Sequence, residues 1–265
     1  MAISWPPAGT PFLYPLVSGA ALAIAIALSR RGQKELSLAP RERLAIVFGA
    51  IVGAAGGAKL PFLLARWRDV SAPVALLATD KTLLGGLVGG YLGVELPKWS
   101  LDVDVKTGDS FAAPVAAGIA AGRLGCFVGG CCYGVPTSLP WGVDFGDGVR
   151  RHPTQLYELV FHVSAAVLLW RLRSQGRYRR QLMKLYVLVY LAYRFASEFL
   201  RPEPPWCFGL TAYQVACMGL APFFLWLWWR DADASSHFPE RPARVESADR
   251  REDPSSRRSE GIVAG

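Results

Sequence analysis

The chain has 265 residues, of which 52% are hydrophobic, and its mean hydropathy is positive at +0.24. Charged residues gather in a few short segments, unlike the even spread on the surface of a soluble domain. The composition therefore excludes an ordinary soluble protein and indicates a membrane protein. Basic loops that face anionic lipid account for the net charge of +8, so no nucleic acid partner is expected.

Seven apolar stretches are long enough to cross the ~30 Å hydrocarbon core, which takes about 20 helical residues. In chain order they cover residues 11–29, 43–65, 72–97, 110–130, 154–173, 181–200 and 207–229. The first ten residues do not resemble a signal peptide, since they lack a basic region and contain prolines. Glycines and the charged residues Asp80, Lys81 and Arg123 weaken the third and fourth stretches, which leaves a break or a re-entrant segment open there. We expect an all-α polytopic membrane domain with about seven transmembrane helices over residues 1–230.

The distribution of Lys and Arg predicts the orientation, because basic loops stay on the cytoplasmic side. These residues are frequent after the first, third and fifth stretches and after Trp229, and they are fewer in the alternate loops. The N-terminus is therefore expected outside and the C-terminus in the cytoplasm. Residues 231–265 are charged and poor in large apolar side chains, which is typical of a disordered tail.

Under this topology, the polar residues within or beside the stretches fall on the outer side of the membrane. They are Lys59, Asp80, Lys81, Arg123, His152, Gln155, Tyr157, Glu158, Arg194, Glu198 and Arg201. One charge at the bilayer centre costs about 2.5–3.5 kcal/mol, so such residues face a polar cavity or pair with one another. Arg194 and Glu198 are four residues apart and can simply pair on one helix. Because several stretches contribute, we predict a polar cavity for the group as a whole.

Glycines recur at a spacing of four residues in the second to fourth stretches. The pairs are Gly53 and Gly57, Gly85 and Gly89, Gly86 and Gly90, Gly118 and Gly122, and Gly125 and Gly129. This spacing lets helices approach closely in lipid and predicts tight packing. Around Arg123, backbone freed by glycine is also suited to bind an anion, and the planar guanidinium suits a phosphate group.

Three of the five cysteines, Cys126, Cys131 and Cys132, form a C-x4-C-C pattern, and Cys207 and Cys217 are isolated. The pattern lacks the spacing of a zinc site, so no metal ion is expected. Cys131 or Cys132 can pair with Cys126 or Cys207, and a chemical role for the clustered thiols is equally open. For Cys217 we expect packing in an apolar core.

Four segments together resemble the prolipoprotein diacylglyceryl transferase family: "GGLVGG" at 85–90, "GRLGCFVGGCCYG" at 122–134, "RHPTQLYE" at 151–158 and "YRFASEFLR" at 193–201. The order of the motifs, the seven stretches and the predicted topology agree with that family over most of residues 11–229. The resemblance implies a bacterial inner membrane enzyme of lipoprotein biosynthesis without a cofactor. It would move the diacylglyceryl group of phosphatidylglycerol to the lipobox cysteine of a prolipoprotein, beside the signal peptide, at the outer face.

The resemblance also implies roles for individual residues. Arg123 would bind the lipid phosphate, and Arg194 would be a second phosphate or leaving-group arginine. With these two, His152 and Glu158 are the catalytic candidates. The candidates for substrate binding are Gly122, Gly125, Gly134, Gln155, Tyr157, Glu198, Arg201, Cys126 and Cys131.

The chain departs from the family pattern at four positions. Cys126, Gly129 and Cys131 stand where the family signature has asparagine, asparagine and glutamate, and Leu84 replaces a histidine before the paired glycines. His152, Glu158 or a cysteine thiolate would have to replace the missing base. Two other functions stay open, a thiol-based membrane protein that accepts an acyl or lipid group on its cysteines or exchanges disulfides and a non-catalytic phospholipid binder or transporter.

Overall fold

The computed structural model describes residues 38–65, 82–103 and 105–237, together with several helical positions between 16 and 29. The helices are α1 (Pro40–Ala65), α2 (Leu83–Ser100), α3 (Gly108–Val128), α4 (Thr154–Ser174), α5 (Leu182–Ser197) and α6 (Ala212–His237). Two short antiparallel hairpins, β1 (Val143–Asp144) with β2 (Arg150–Arg151) and β3 (Pro205–Cys207) with β4 (Leu210–Thr211), complete the described chain. The protein is thus mostly helical, as the apolar stretches predict.

Most predicted stretches coincide with helices. The fourth stretch forms one uninterrupted helix, α3, so the break considered there is wrong. In the third stretch, α2 begins at Leu83 behind the cap residue Thr82, whose side chain accepts a hydrogen bond from the Gly85 N–H at 2.9 Å. Asp80 and Lys81 lie outside the described residues.

The seventh stretch starts later than predicted, because the segment before Ala212 is a β-hairpin rather than a helix. The turn residues Phe208 and Gly209 both have positive φ, which is the backbone of a tight two-residue hairpin turn. At the other end, α6 continues to His237 and so includes residues 231–237, which the sequence analysis assigns to the tail.

Each helix from α3 to α6 runs antiparallel to the next helix in the chain. At one end, the Asp109 carboxylate at the start of α3 accepts hydrogen bonds from the backbone N–H groups of Arg180 and Leu182, where α5 begins. At the same end, Asp231 near the end of α6 pairs with Lys184 at 2.6 Å and with Lys106 at 3.1 Å. The opposite end therefore gathers the last turns of α3 and α5 and the first turns of α4 and α6.

The bundle buries polar and charged side chains beside an apolar core, and it exposes large apolar side chains. Charged and polar side chains are buried on α4 and α5, and large apolar side chains such as Leu44, Phe48, Val160 and Trp170 are exposed on α1 and α4. The buried set includes Gln155, Glu158, His162, Lys184, Arg194 and Glu198. Extended exposed apolar surface around buried polar groups is the arrangement of helices in lipid. Two described helices, over Pro40–Leu63 and Gly108–Val128, are long and apolar enough by themselves to cross a membrane.

Helices α1 and α2 touch along a line of glycines. A Cβ atom built on Gly53 would overlap the carbonyl oxygen of Gly89, and one on Gly57 would overlap that of Gly85. Gly49 and Gly93 oppose each other in the same way. The predicted tight packing is confirmed for these glycines, since the contact requires residues without a side chain.

We expect Gly53→Ala to lower the free energy of unfolding by about 1–3 kcal/mol, because the new methyl group overlaps backbone that cannot move aside without separating the helices. Gly56→Ala is the matched control, since a Cβ there meets no atom within 4 Å. Thermal unfolding of both variants in detergent, followed by tryptophan fluorescence, measures the difference. Equal midpoints for the two variants would contradict the close contact.

Candidate active site

Glu158 is the centre of a buried ionic group at the end of the bundle that gathers the last turns of α3 and α5. Arg123 contacts both carboxylate oxygens, through Nη2 to Oε1 at 3.0 Å and Nε to Oε2 at 2.9 Å. Arg201 Nη2 donates to Oε2 at 2.8 Å, and the Tyr190 hydroxyl donates to Oε1 at 3.3 Å. One carboxylate thus holds two guanidinium groups side by side, and the three side chains carry a net positive charge.

Each member of this group comes from a different part of the chain. Arg123 lies near the end of α3, Glu158 in the second turn of α4, Tyr190 on α5, and Arg201 just after the 3-10 turn Glu198–Leu200. The sequence analysis predicts that these charged residues converge, and the structure brings Arg123, Glu158 and Arg201 together. Their positions in the sequence do not show which side chain contacts which.

Arg194 and Glu198 form a second buried ion pair. Arg194 Nη2 lies 2.7 Å from Glu198 Oε2, and the guanidinium stacks over the Tyr213 ring at 4.4 Å from its centroid. The Thr211 hydroxyl donates to Glu198 Oε1 at 2.9 Å. The simple pairing considered from their spacing is therefore present.

One nitrogen of Arg194 is left for another acceptor. Its Nη1 atom is buried and has no hydrogen-bond partner among the residues that the structure describes. Arg194 lies four residues after Tyr190 on α5, so it shares the helix face whose Tyr190 hydroxyl contacts Glu158. The three arginines therefore make this end of the bundle a positively charged region.

The segment that follows α3 is held in place by the start of α4. The Thr154 hydroxyl donates to the carbonyl of Cys132 at 2.8 Å, and Gln155 Nε2 donates to the carbonyl of Cys131 at 2.6 Å. Gln155 is fully buried and uses its Nε2 atom in this contact, so its side chain does not belong to the rim. Thr154 and Gln155 thus hold the backbone of Cys131 and Cys132 in position.

Gly134 lies where this segment meets two others. Its N–H donates to the carbonyl of His152 at 2.8 Å, and a Cβ atom would overlap the Leu200 carbonyl and come within 2.8 Å of Thr154 Cγ2. A side chain is therefore excluded at Gly134 by contact. Gly122 differs, since a Cβ there meets no atom within 4 Å, and Gly125 is buried in α3.

His152 and Tyr157 lie apart from the Glu158 group, at the rim. His152 Nδ1 is 3.2 Å from the Tyr157 hydroxyl, which also accepts a hydrogen bond from Trp141 Nε1 at 2.8 Å. Trp141 is exposed. The three side chains form a short polar chain that links the segment before β1 to the start of α4.

The three clustered cysteines come together although their spacing does not predict it. The Sγ atoms of Cys126, Cys131 and Cys132 all lie within 4.8 Å of one another. None of the five cysteines forms a disulfide. Cys207 is not part of the cluster, and Cys217 is buried in the apolar core as expected.

Several contacting residues are missing from the sequence-based set, namely Tyr190, Thr154, Thr211, Tyr213 and Trp141. Helical spacing gives a signal for Tyr190 alone, because it lies four residues before Arg194 on α5 and shares its face. The other four belong to a loop, to the two-residue strand β4 or to the first turns of helices, where no periodicity identifies them.

The sequence is similar to known proteins along most of its length. The family model for prolipoprotein diacylglyceryl transferase matches residues 11–230. Relatives that carry the name phosphatidylglycerol–prolipoprotein diacylglyceryl transferase include one from Clostridium tetani, 34% identical over 69% of this chain and 77% of its own length. Another, from Bordetella parapertussis, is 32% identical over 80% of this chain and 82% of its own length. The motifs and the match along most of the chain agree, and the chain belongs to the prolipoprotein diacylglyceryl transferase family.

Proposed function

We propose that this protein transfers the diacylglyceryl group of phosphatidylglycerol to the lipobox cysteine thiol of prolipoproteins, at the outer face of the bacterial inner membrane. The observation that carries the proposal is the pair of guanidinium groups, Arg123 and Arg201, held side by side on Glu158 inside a family match that covers residues 11–230. Paired arginines in a poorly solvated site are suited to a phosphodiester head group.

The proposal includes the arrangement in the membrane. Residues 1–230 form one membrane domain with seven crossings, the N-terminus lies outside, and residues 231–265 belong to the cytoplasmic side. The antiparallel order of α3 to α6 supports this, because it separates the basic segment 171–180 from the Glu158 group by the length of the bundle. Basic residues stay in the cytoplasm, so the Glu158 group opens to the outer face.

Within this site, the arginines bind the lipid. Arg123 and Arg201 contact the phosphate, and Arg194 offers its Nη1 atom to the leaving glycerol phosphate. Glu158 and Glu198 are positioning residues, since their carboxylates are occupied by the arginines that they orient. Gly122 leaves room for the lipid along α3, and Gly125, which is buried, contributes close packing of the helix that carries Arg123.

The prolipoprotein binds on the other side of the phosphate. His152 and Tyr157 form the rim that receives the signal peptide, Gln155 and Gly134 fix the backbone that carries the thiols, and Cys126 and Cys131 line the path of the acceptor cysteine. Leu84 stands at the position of the family's histidine. Its hydrocarbon side chain is buried in the apolar core and offers no proton acceptor.

The reaction is a displacement at carbon. The acceptor cysteine gives its proton to water or to His152, its thiolate attacks glycerol C3 of phosphatidylglycerol, a C–S bond forms and the C–O bond to phosphate breaks. The electron pair of that bond leaves with glycerol phosphate. The arginines stabilise the charge that builds up on the leaving phosphate, which is the largest contribution that the residues of this site make to the rate.

Oriented membrane vesicles test the function and the orientation together. The vesicles are prepared from cells that are depleted of their own transferase and express this chain. They contain radiolabelled phosphatidylglycerol, and a water-soluble lipobox peptide is added from outside. Label should reach the peptide in right-side-out vesicles, and in inverted vesicles only after detergent opens them. A peptide with serine in place of the lipobox cysteine is the control.

Transfer that occurs in intact inverted vesicles but not in right-side-out vesicles would overturn the proposed orientation of the protein. Bound phosphatidylglycerol without transfer to the cysteine peptide, in opened vesicles as well, would favour a non-catalytic phospholipid binder. Label on the cysteines of the chain itself would favour the thiol-based alternative.

A further inference from the structure

We propose that Cys126, Cys131 and Cys132 bind a zinc ion through three thiolates, and that the fourth position of this ion takes the thiol of the acceptor cysteine. The metal site itself is independent of the transfer reaction. The identity of the fourth ligand rests on the proposed function.

The distances between the three thiols fit a tetrahedral zinc ion. Zinc–sulfur bonds of ~2.3 Å place the sulfur atoms about 3.8 Å apart, and the three Sγ atoms already lie within 4.8 Å of one another. Three protein ligands with an open fourth position are the arrangement of catalytic rather than structural zinc. Cys132 is exposed, so an incoming ligand can reach the cluster.

The backbone explains how two adjacent cysteines point to one place. Successive side chains on an extended strand face opposite directions, which is why neighbouring cysteines are poor partners in a metal site. Cys132 has a φ of 65°, a left-handed conformation that non-glycine residues rarely adopt, and this breaks the alternation. Thr154 and Gln155 hold the carbonyls of Cys132 and Cys131 in this shape from the buried start of α4. The protein thus maintains an unfavourable backbone whose effect is to bring the three sulfur atoms together.

The surrounding charges also suit a zinc–thiolate centre. Three thiolates and Zn²⁺ carry a net charge of −1, and a fourth thiolate would make it −2. Arg123 lies three residues before Cys126 on α3, and Glu158 offsets only one of the two positive charges that Arg123 and Arg201 bring to this end of the bundle. The arginines that bind phosphate therefore also stabilise an anionic metal centre beside it.

A zinc ion would take the place of the base that the chain lacks by comparison with its family pattern. Leu84 replaces a histidine, and Cys126 and Cys131 replace an asparagine and a glutamate. A thiol that binds zinc is deprotonated at neutral pH, so the metal generates the nucleophile without a strong base. The acceptor thiol gives its proton to water or His152 as it binds. The zinc-bound sulfur then forms the C–S bond with glycerol C3 as the C–O bond to phosphate breaks, and no oxidant or reductant is consumed.

Metal analysis of the full chain tests the site without any transfer assay. The protein is purified in detergent with a phosphine reductant, loaded with Zn²⁺, dialysed against metal-free buffer and measured by mass spectrometry of elements. We expect one zinc ion per chain. Cys131→Ser should lose most of the zinc, and Cys207→Ser, the matched control outside the cluster, should keep it.

Cobalt provides a readout of the ligands. Co²⁺ bound to thiolates in a tetrahedron gives visible ligand-field bands and a near-ultraviolet charge-transfer band, which Cys131→Ser should weaken. A lipobox peptide should intensify the charge-transfer band of the wild-type chain, and the serine peptide should not.

A wild-type chain without zinc, or one whose clustered cysteines form a disulfide under these conditions, would overturn the metal site. A cobalt spectrum that is indifferent to the cysteine peptide would overturn the fourth-ligand role.

The two proposals fail in different ways. If the transferase function is wrong, the metal content and the cobalt bands remain and no label reaches the peptide. If the zinc site is wrong, the metal-free chain still transfers the lipid. Arg123→Lys separates them further, since it should lose transfer and keep zinc.

Discussion

Arg123→Lys is expected to lower the transfer of diacylglyceryl label about 10- to 150-fold, which corresponds to about 1.5–3 kcal/mol of activation free energy. In the structure, the guanidinium reaches Glu158 through two different nitrogen atoms, Nε and Nη2, and this fixes the direction of the whole group. A lysine ammonium keeps the charge but binds as a single point, so it neither locks onto the carboxylate nor meets a phosphate with two parallel hydrogen bonds.

The measurement is the peptide transfer assay in opened vesicles, with the amount of protein matched by blot. Arg177→Lys is the control, because it makes the same chemical change on an exposed residue of the 171–180 segment, at the other end of the bundle. We expect Arg177→Lys to retain full activity. Full activity of Arg123→Lys would remove the phosphate role of this residue and with it the main support for the proposed function.

Glu158→Gln should lower the stability of the protein by about 3–5 kcal/mol, the cost of removing one partner from a buried ionic group. The carboxylate is 1% exposed and contacts both Arg123 and Arg201. Without its negative charge, two guanidinium groups would face each other in a poorly solvated site. The amide nitrogen of glutamine would also point a donor at a donor.

Thermal unfolding in detergent measures this loss, and Asp147→Asn provides the matched control. Asp147 also accepts hydrogen bonds from an arginine, Arg151, at 2.6 and 2.8 Å, but this pair lies in the exposed β1–β2 loop. Water and salt screen such a pair, so Asp147→Asn should leave the midpoint unchanged. A Glu158→Gln variant as stable as Asp147→Asn would contradict a buried ionic group that organises the site.

The positions of the helices were largely determined by the sequence. The stretch predicted at 154–173 matches α4 (Thr154–Ser174), and the one at 110–130 matches α3 (Gly108–Val128) in spite of Arg123. The reason is that a run of apolar residues long enough to span lipid must satisfy its backbone within itself, and a helix is the only way to do so in one segment. The Arg194–Glu198 pair is local in the same sense, since residues four apart share a helix face.

The sequence predicts only part of the contact between the glycines of α1 and α2. The spacing predicts that Gly53 and Gly57 allow a close approach, but it does not say that their partners are Gly89 and Gly85 on the next helix. The same spacing also occurs at Gly122, where the structure leaves open space. A four-residue repeat marks one face of a helix, and only the packing decides whether another helix lies against that face.

The site itself was decided by the tertiary structure. Glu158 meets Arg123 across 35 residues of chain and Arg201 across 43, and the sequence analysis identifies neither pairing. The three thiols approach one another only because Cys132 adopts a left-handed backbone held by Thr154 and Gln155. Periodicity and charge distribution determine which residues lie on one face and at one end of a helix. The contacts between helices depend on how the helices pack and on the loops that join them, and these are properties of the whole fold.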